Sequence, residues 1–217
     1  MRGLKKPSLI TALLVGVLLL TGSFAFGGES IAKASDSLLF SDNFNRRDGL
    51  VASETMANAS SQWRVTSGNL YIRRTHGYTN DDVFRVVTRR SDFSDVLVSA
   101  YMQKRNLAVN PWEGLQLFIR YQDPDNLYVA GLRNDNSIHL KKKIKGKYVT
   151  LATAPINSNM INTWYKMTIV ADSDRLRVFV GDKKYIDVRD ASLTAGRVGI
   201  RTDNIEAYFD NFQVSSR

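Results

Sequence analysis

Between residues 38 and 214, apolar and polar residues alternate in short runs with a period of two, and turn-forming residues separate the runs. A strand sends successive side chains to opposite faces, so this pattern describes half-buried strands, and a helical period of 3.6 is nearly absent. Val96, Val98, Ala100 and Met102 share one strand face, and Leu115, Leu117, Ile119 and Tyr121 share another. Ile138 and Leu140 alternate with His139 and Lys141; Tyr165, Met167 and Ile169 alternate with Lys166 and Thr168; Leu176, Val178 and Val180 alternate with Arg177 and Phe179. Asp123-Pro124-Asp125-Asn126, Asn134-Asp135-Asn136, Lys145-Gly146-Lys147, Asp172-Ser173-Asp174 and Gly181-Asp182 supply hairpin turn chemistry between runs. A meander of antiparallel strands without crossover helices buries its apolar faces by stacking two sheets. The expectation is therefore an all-β jelly-roll β-sandwich, with one helical turn near residues 190–193 and a loop over residues 51–61.

The 217 residues suit one domain, and 43% hydrophobic with 24% charged residues excludes a disordered or collagen-like chain. There is no cysteine. Disulfides, thiol nucleophiles, Cys-ligated zinc and iron–sulfur clusters are excluded, which leaves catalysis to carboxylates, hydroxyls, amines, phenols and two histidines.

Arg2, Lys5 and Lys6 precede an apolar run over residues 9–20, followed by small residues up to Gly28. This is the layout of a secretory signal peptide. Cleavage after Ser23-Phe24-Ala25 or after Ala32-Lys33-Ala34 both fit; the second is favoured, giving a signal over residues 1–34 and a mature domain over 35–217. A retained anchor is the other reading, but the run is shorter than the ~20 residues that span a bilayer comfortably. No other segment is apolar enough to span. The expected location is outside the cell or on its surface, in a Gram-positive bacterium.

Processing removes Arg2, Lys5, Lys6, Lys33 and Glu29, so the formal charge falls from +9 to +6. An exported cation of that size meets anionic wall polymers, acidic polysaccharides or membrane surfaces, although solubility alone also accounts for it. Nucleic acid is not expected, because the basic residues are not interleaved with a stacking motif. A monomer is expected.

Three segments carry a family resemblance: Phe40-Ser41-Asp42-Asn43-Phe44-Asn45 with Gln62-Trp63-Arg64-Val65 and Gly68-Asn69-Leu70, the block from Gly114 to Tyr128, and Gly196-Arg197-Val198-Gly199-Ile200 with Tyr208-Phe209-Asp210-Asn211-Phe212. Together they resemble the secreted bacterial branch of the concanavalin A-like lectin/glucanase superfamily, which includes laminin-G-like domains and jelly-roll carbohydrate-binding modules. The resemblance implies the fold well and the ligand poorly, because the superfamily holds binders, hydrolases and lyases. Its glucanases carry a Glu-x-Asp-x-x-Glu run on one strand face, since acid and nucleophile must flank one glycosidic bond. No such run occurs; Glu113 stands alone, and Asp123 and Asp125 occupy a turn.

The resemblance to jelly-roll polysaccharide lyases implies a Tyr or His base beside Arg, Gln or Asn that neutralises a uronate. On the face opposite Leu115, Leu117 and Ile119, the expected set is Gln116, Phe118 and Arg120, with Tyr128, His139 and Lys141 from the next strands. In a β-elimination Tyr128 or His139 moves the proton and Arg120 stabilises the enolate. The Gln-x-His and Tyr-Phe-Lys signatures of known alginate lyases are missing. Arg120 and Tyr128 also fit a structural cross-strand pair, His139 an exposed strand residue, and the Lys141-Lys142-Lys143 run a solvated hairpin end. The favoured expectation is a non-catalytic carbohydrate-binding or cell-surface module with Trp112, Gln116, Arg120, Tyr128, His139 and Lys141 as ligand contacts, and an acidic-polysaccharide lyase is the alternative.

Indoles stack on sugars and also fill cores. The resembling domains use the positions of Trp63 and Trp164 structurally, which leaves Trp112, beside Pro111 at a strand entry, as the platform, with Tyr78 and Tyr101 secondary. The resemblance further implies a structural calcium ion held by Asp210 with oxygens from Asp42, Asn43 and Gly68, hard donors suited to that ion. A strand end capped by Asp210 is the competing reading.

Overall fold

The computed structural model describes residues 31, 36–50, 56–58, 63–72, 85–106, 110–158 and 160–217. The signal over residues 1–34, apart from Ile31, lies outside them, as do Tyr78 and Gln62. Among the described residues sixteen strands follow in chain order: β1 (Leu38–Asp42), β2 (Gly49–Leu50), β3 (Met56–Asn58), β4 (Trp63–Thr66), β5 (Asn69–Ile72), β6 (Arg85–Thr88), β7 (Val96–Lys104), β8 (Gly114–Asp123), β9 (Asn126–Arg133), β10 (Ser137–Ile144), β11 (Lys147–Pro155), β12 (Trp164–Asp172), β13 (Arg175–Val180), β14 (Lys183–Arg189), β15 (Arg197–Asp203) and β16 (Ala207–Ser216). One sheet runs β14-β13-β12-β7-β16-β5-β4-β2, with β1 also paired to β16, and the other runs β11-β10-β9-β8-β15-β6-β3. Among the described residues no helix is long and apolar enough to cross a membrane.

The two sheets close over one core because alternate residues of each strand are apolar. Val96, Val98, Ala100 and Met102 of β7, Met167 and Ile169 of β12 and Leu70 and Ile72 of β5 share this core with Leu115, Leu117 and Ile119 of β8 and with Ile138 and Leu140 of β10. Each such large apolar side chain stabilises the fold by roughly 1.5–3 kcal/mol when fully buried. Trp63 lies 5.9 Å from Phe209 in this core, as its structural assignment required. The two Asp-Asn-Phe segments meet in register, Asp42 opposite Phe212, with Phe40 edge-on to Phe212 at 5.8 Å.

Four local expectations are corrected. Tyr121 does not continue the Leu115–Leu117–Ile119 face, because β8 carries a bulge: Gly199 faces Phe118 and Arg197 faces Tyr121, so one extra residue is absorbed between them. Arg120 takes it up at φ 49° and points inward, and Tyr121 emerges on the outer face beside Phe118 at 5.3 Å. Residues 190–193 form no helix; the Asp190 carboxylate accepts the Ser192 amide at 3.0 Å and holds a bend instead. The expected loop over residues 51–61 contains β3, paired with β6. Trp164 is 41% exposed and is not core.

Candidate carbohydrate-binding face

The outer face of the seven-stranded sheet is assembled by register. One row crosses it as Arg85, Arg201, Gln116, Gly131, His139 and Thr153. The next row is Val87, Gly199, Phe118, Val129 and Lys141. A third brings Leu127 and Lys143 beside Tyr148. Phe118, Leu127 and Val129 pack into an apolar floor, joined by Val87 and Tyr121.

Polar side chains rise around this floor. Arg201 donates to Asp203 at 2.9 and 3.1 Å, and Gln116 donates to the other oxygen of the same carboxylate at 2.5 Å. Arg201 also reaches the Tyr148 hydroxyl at 3.2 Å. Four strand spacings separate β15 from β11, about 19 Å in a flat sheet, so this contact requires the sheet to curl toward its outer side. Arg85 donates to the Tyr121 hydroxyl at 3.2 Å and lies 5.3 Å over its ring. Lys143 pairs with Asp125 at 3.2 Å and lies 5.2 Å over Tyr148.

His139 sits next to last in the first row, beside Thr153. Ser137 Oγ donates to Asp135 and lies 2.7 Å from His139 Nε2, so the histidine donates from Nε2 and keeps its Nδ1 lone pair toward the Thr153 hydroxyl at 3.5 Å. Burial lowers its pKa below the ordinary histidine value, and the charges of Arg133 and Lys141 lower it further against the opposing pull of Asp135. Lys141 is shifted down as well, by burial and then by Arg133. This end of the face is a positive field. Trp112 is 52% exposed beside it, on a turn whose Pro111 carbonyl accepts the Asp135 amide at 3.2 Å.

Two expected ligand contacts are corrected: the bulge turns Arg120 inside, and Tyr128 shares the inward face of its ladder partner Ile119. Arg120 is 2% exposed and donates to the carbonyls of Ser94 (3.2 Å), Leu193 (2.9 Å) and Ser173 (2.7 Å), with Asp95 at 3.3 Å. Tyr128 is fully buried; its hydroxyl lies 2.5 Å from Asp190 Oδ1 and accepts the Leu193 amide at 3.1 Å. Burial, then the bond to Asp190, pushes the Tyr128 phenol up to about 12. Burial opposes ionisation of Asp190, yet hydrogen bonds from Lys142, Ser192 and Tyr128 together hold its carboxyl well below the usual range. Arg120 and Tyr128 thus pin the 190–193 bend from two sides. Glu113 is also fully buried, accepting from Asn110 and Asn204.

Gln116, His139 and Lys141 are brought to one face, with Trp112 at its edge. Sequence reasoning missed Arg85, Arg133, Arg201, Asp203, Tyr121 and Tyr148. The alternation of Arg197, Gly199, Arg201 and Asp203 with Val198, Ile200 and Thr202 was the available signal.

Of the expected calcium donors, Asp42 and Asn43 share a depression at one end of the other sheet, and Asp210 and Gly68 do not line it. Asp42, Asn43, Asn211 and Phe212 line this depression of about 270 Å³ with Ser41 and Gln213. Asp210 accepts from the Asn211 amide at 2.6 Å, and its pKa is raised by burial and by the charge of Asp42. Asp42 accepts from the Phe44 amide at 2.8 Å and from Arg46 at 2.6 Å. Gly68, at φ 73°, leaves room where a Cβ would stand 2.7 Å from Asn45 Oδ1. Among the described residues no cluster of three or more His, Asp or Glu side chains occurs, so an ion here would rely on carbonyl and amide oxygens beside two mutually repelling carboxylates.

No sequence-family profile matches the chain. No curated protein matches it in sequence. Solved structures are similar in fold: a carbohydrate-binding module, CBM66 from Bacillus subtilis, shares 19% identity over 75% of this chain and 96% of its own, with a TM-score of 0.63. A non-specific endo-β-1,3(4)-glucanase of family GH16 shares 12% identity over 87% of this chain and 94% of its own, with a TM-score of 0.64. An endo-β-1,3-glucanase from Pyrococcus furiosus shares 13% identity over 83% and 94%, with a TM-score of 0.60. By these likenesses and its two antiparallel sheets, the molecule has a jelly-roll β-sandwich fold.

Proposed function

We propose that the protein is an exported, monomeric, non-catalytic module that holds a polysaccharide, preferentially an anionic one, against the outer face of its seven-stranded sheet. The observation that carries this reading is the gathering of Arg85, Arg133, Lys141, Lys143 and Arg201 around an apolar floor, with Gln116 and His139 in the same rows. Uronate carboxylates complement that field, and sugar C–H faces complement the exposed Trp112 indole, while Phe118 lies buried beneath the polar side chains. The fold shared with a carbohydrate-binding module supports glycan binding.

Catalysis is disfavoured on chemical grounds. A glucanase needs paired carboxylates across one bond, and the described strands of this sheet carry carboxylates only at their ends, Asp123 and Asp203. The lyase reading loses Tyr128 as a base, since a buried phenol raised to about 12 releases no proton near neutrality. It also loses Arg120, whose donors are committed to backbone carbonyls. A structural calcium ion held by Asp210, Asp42, Asn43 and Gly68 is part of the proposal, tying the first strand to the last.

The test is affinity electrophoresis of the mature protein through alginate, pectate and heparin-like polymers, with ultraviolet absorbance followed for an unsaturated uronate product. Retention that weakens with salt and proceeds without new absorbance is expected. New absorbance that disappears in His139→Ala overturns the non-catalytic reading. Chelation should lower the thermal midpoint of calcium-loaded protein and not that of Asp210→Ala, because an ion bound only to the native state stabilises it by mass action; an equal midpoint with and without chelator removes the calcium site.

A further inference from the structure

The outer face of the nine-stranded sheet carries an aromatic row unrelated to the cationic face. Register places Arg64 beside Tyr71, Tyr71 beside Tyr208, Tyr208 beside Gln103, and Gln103 beside Trp164, across β4, β5, β16, β7 and β12. The Tyr71 and Tyr208 rings are 5.0 Å apart. Tyr101, one step along β7, stands opposite Lys166 and Asp210. Tyr101 and Trp164 are 40% and 41% exposed, and neither contributes to the core. Four strand spacings make the row about 19 Å long, the reach of a short oligosaccharide.

Charge and area both restrict the occupant. Arg105 lies 5.3 Å over Tyr208 and Lys166 5.9 Å over Tyr101, while Glu206 accepts from the Tyr71 hydroxyl at 3.1 Å and Asp210 faces Tyr101. Cations and carboxylates are interleaved, so a polyanion gains little here, whereas hydroxyl groups find donors and acceptors on both sides of the rings. A fully covered aromatic side chain buries about 150–250 Å², so two rings exposed to this degree, with the less exposed tyrosines and neighbouring Met160 and Ile161, offer on the order of half the ~800 Å² per partner of a stable protein interface. A one-ring-wide strip of that size fits a single sugar chain better than a second copy of the protein.

We propose that this row is a second binding surface, taking an uncharged polysaccharide whose sugar rings stack on Tyr71, Tyr208, Tyr101 and Trp164. The proposal rests on the glycan-binding reading but on a different sheet and a different ligand class. Its test uses soluble β-1,3-glucan, mixed-linkage β-glucan and fructan as probes in affinity electrophoresis, with alginate in parallel. The wild type is retained by at least one uncharged polymer at high salt, and binding shifts and quenches tryptophan fluorescence. Tyr101→Ala/Trp164→Ala weakens that retention at least about tenfold, with an unchanged thermal midpoint and unchanged alginate retention. Absence of retention on every uncharged probe, or full retention by the double variant, overturns the second surface and leaves the cationic face to be judged by alginate alone. If alginate binding fails while the uncharged polymer still depends on Tyr101 and Trp164, the cationic face falls and this surface stands.

Discussion

Replacing Arg120 by alanine should destabilise the protein by about 3–5 kcal/mol, the range for breaking a buried charged network by removing one partner. The guanidinium is sealed from water and satisfies three backbone carbonyls from three separate segments, those of Ser94, Ser173 and Leu193. Alanine leaves those acceptors without their donor and a void where the side chain stood. Asp95 retains the Ser173 amide at 2.8 Å, so its loss is the smaller part. For a domain of this size each kcal/mol moves the midpoint by about 2–4 °C, so thermal unfolding should fall by roughly 10 °C. A fall of less than about 3 °C would show that Arg120 is not the clamp of the 190–193 bend. Folded Arg120→Ala protein should still bind alginate, because the residue faces the interior.

The opposite pattern is expected when charge is removed from the outer face. Arg133→Ala/Lys141→Ala should weaken alginate binding by roughly 30- to 100-fold at low salt, since hydrogen bonds to charged groups contribute about 1.5–3 kcal/mol each when desolvated and these two are only partly so. Stability should hold or rise. Lys141 is shifted down by burial and by Arg133, so removing both cations relieves their repulsion and partial desolvation, which offsets the lost attraction of both to Asp135 and Asp203. The salt dependence of binding should flatten in parallel. Isothermal titration at several ionic strengths, with unfolding curves for the same samples, distinguishes this from a variant that has merely lost its fold.

These two residue groups also mark how far the sequence could be read. Val96 to Met102 and Leu115 to Ile119 were legible because each strand has one dry and one wet face, which imposes alternation directly. Parity fails beyond Ile119, where Arg120 occupies a bulge in a left-handed conformation that its side chain does not announce, and the two assignments that follow on β8 change sides. Tyr121 moves out and Arg120 moves in. Tyr128 was misassigned for a different reason: it pairs with Ile119 in the regular ladder before the bulge and shares its inward face, while the apolar Leu127 and Val129 on either side of it line the outer floor. The cationic rows were legible only in part, since Gln116 meets Asp203 87 positions away through a pairing between strands that are not neighbours in sequence. Trp164 begins a strand as expected, but its alternation with the inward Tyr165 and Met167 puts it on the wet face.

The central claim, that an anionic glycan lies against the outer face of the seven-stranded sheet, is tested most directly by the His139 imidazole, which stands within it. In the free protein burial and the charges of Arg133 and Lys141 hold its pKa below the ordinary value. A bound carboxylate opposes those charges and must raise it, so binding takes up a proton; the added affinity is full below the free pKa and is lost as pH rises through the bound one. The measurement is an NMR pH titration of the His139 ring, assigned with His139→Gln, with and without a saturating alginate oligosaccharide. The account predicts an upward shift on binding and tighter binding at lower pH. An unchanged His139 titration in a protein saturated with alginate would contradict it and move the binding site elsewhere.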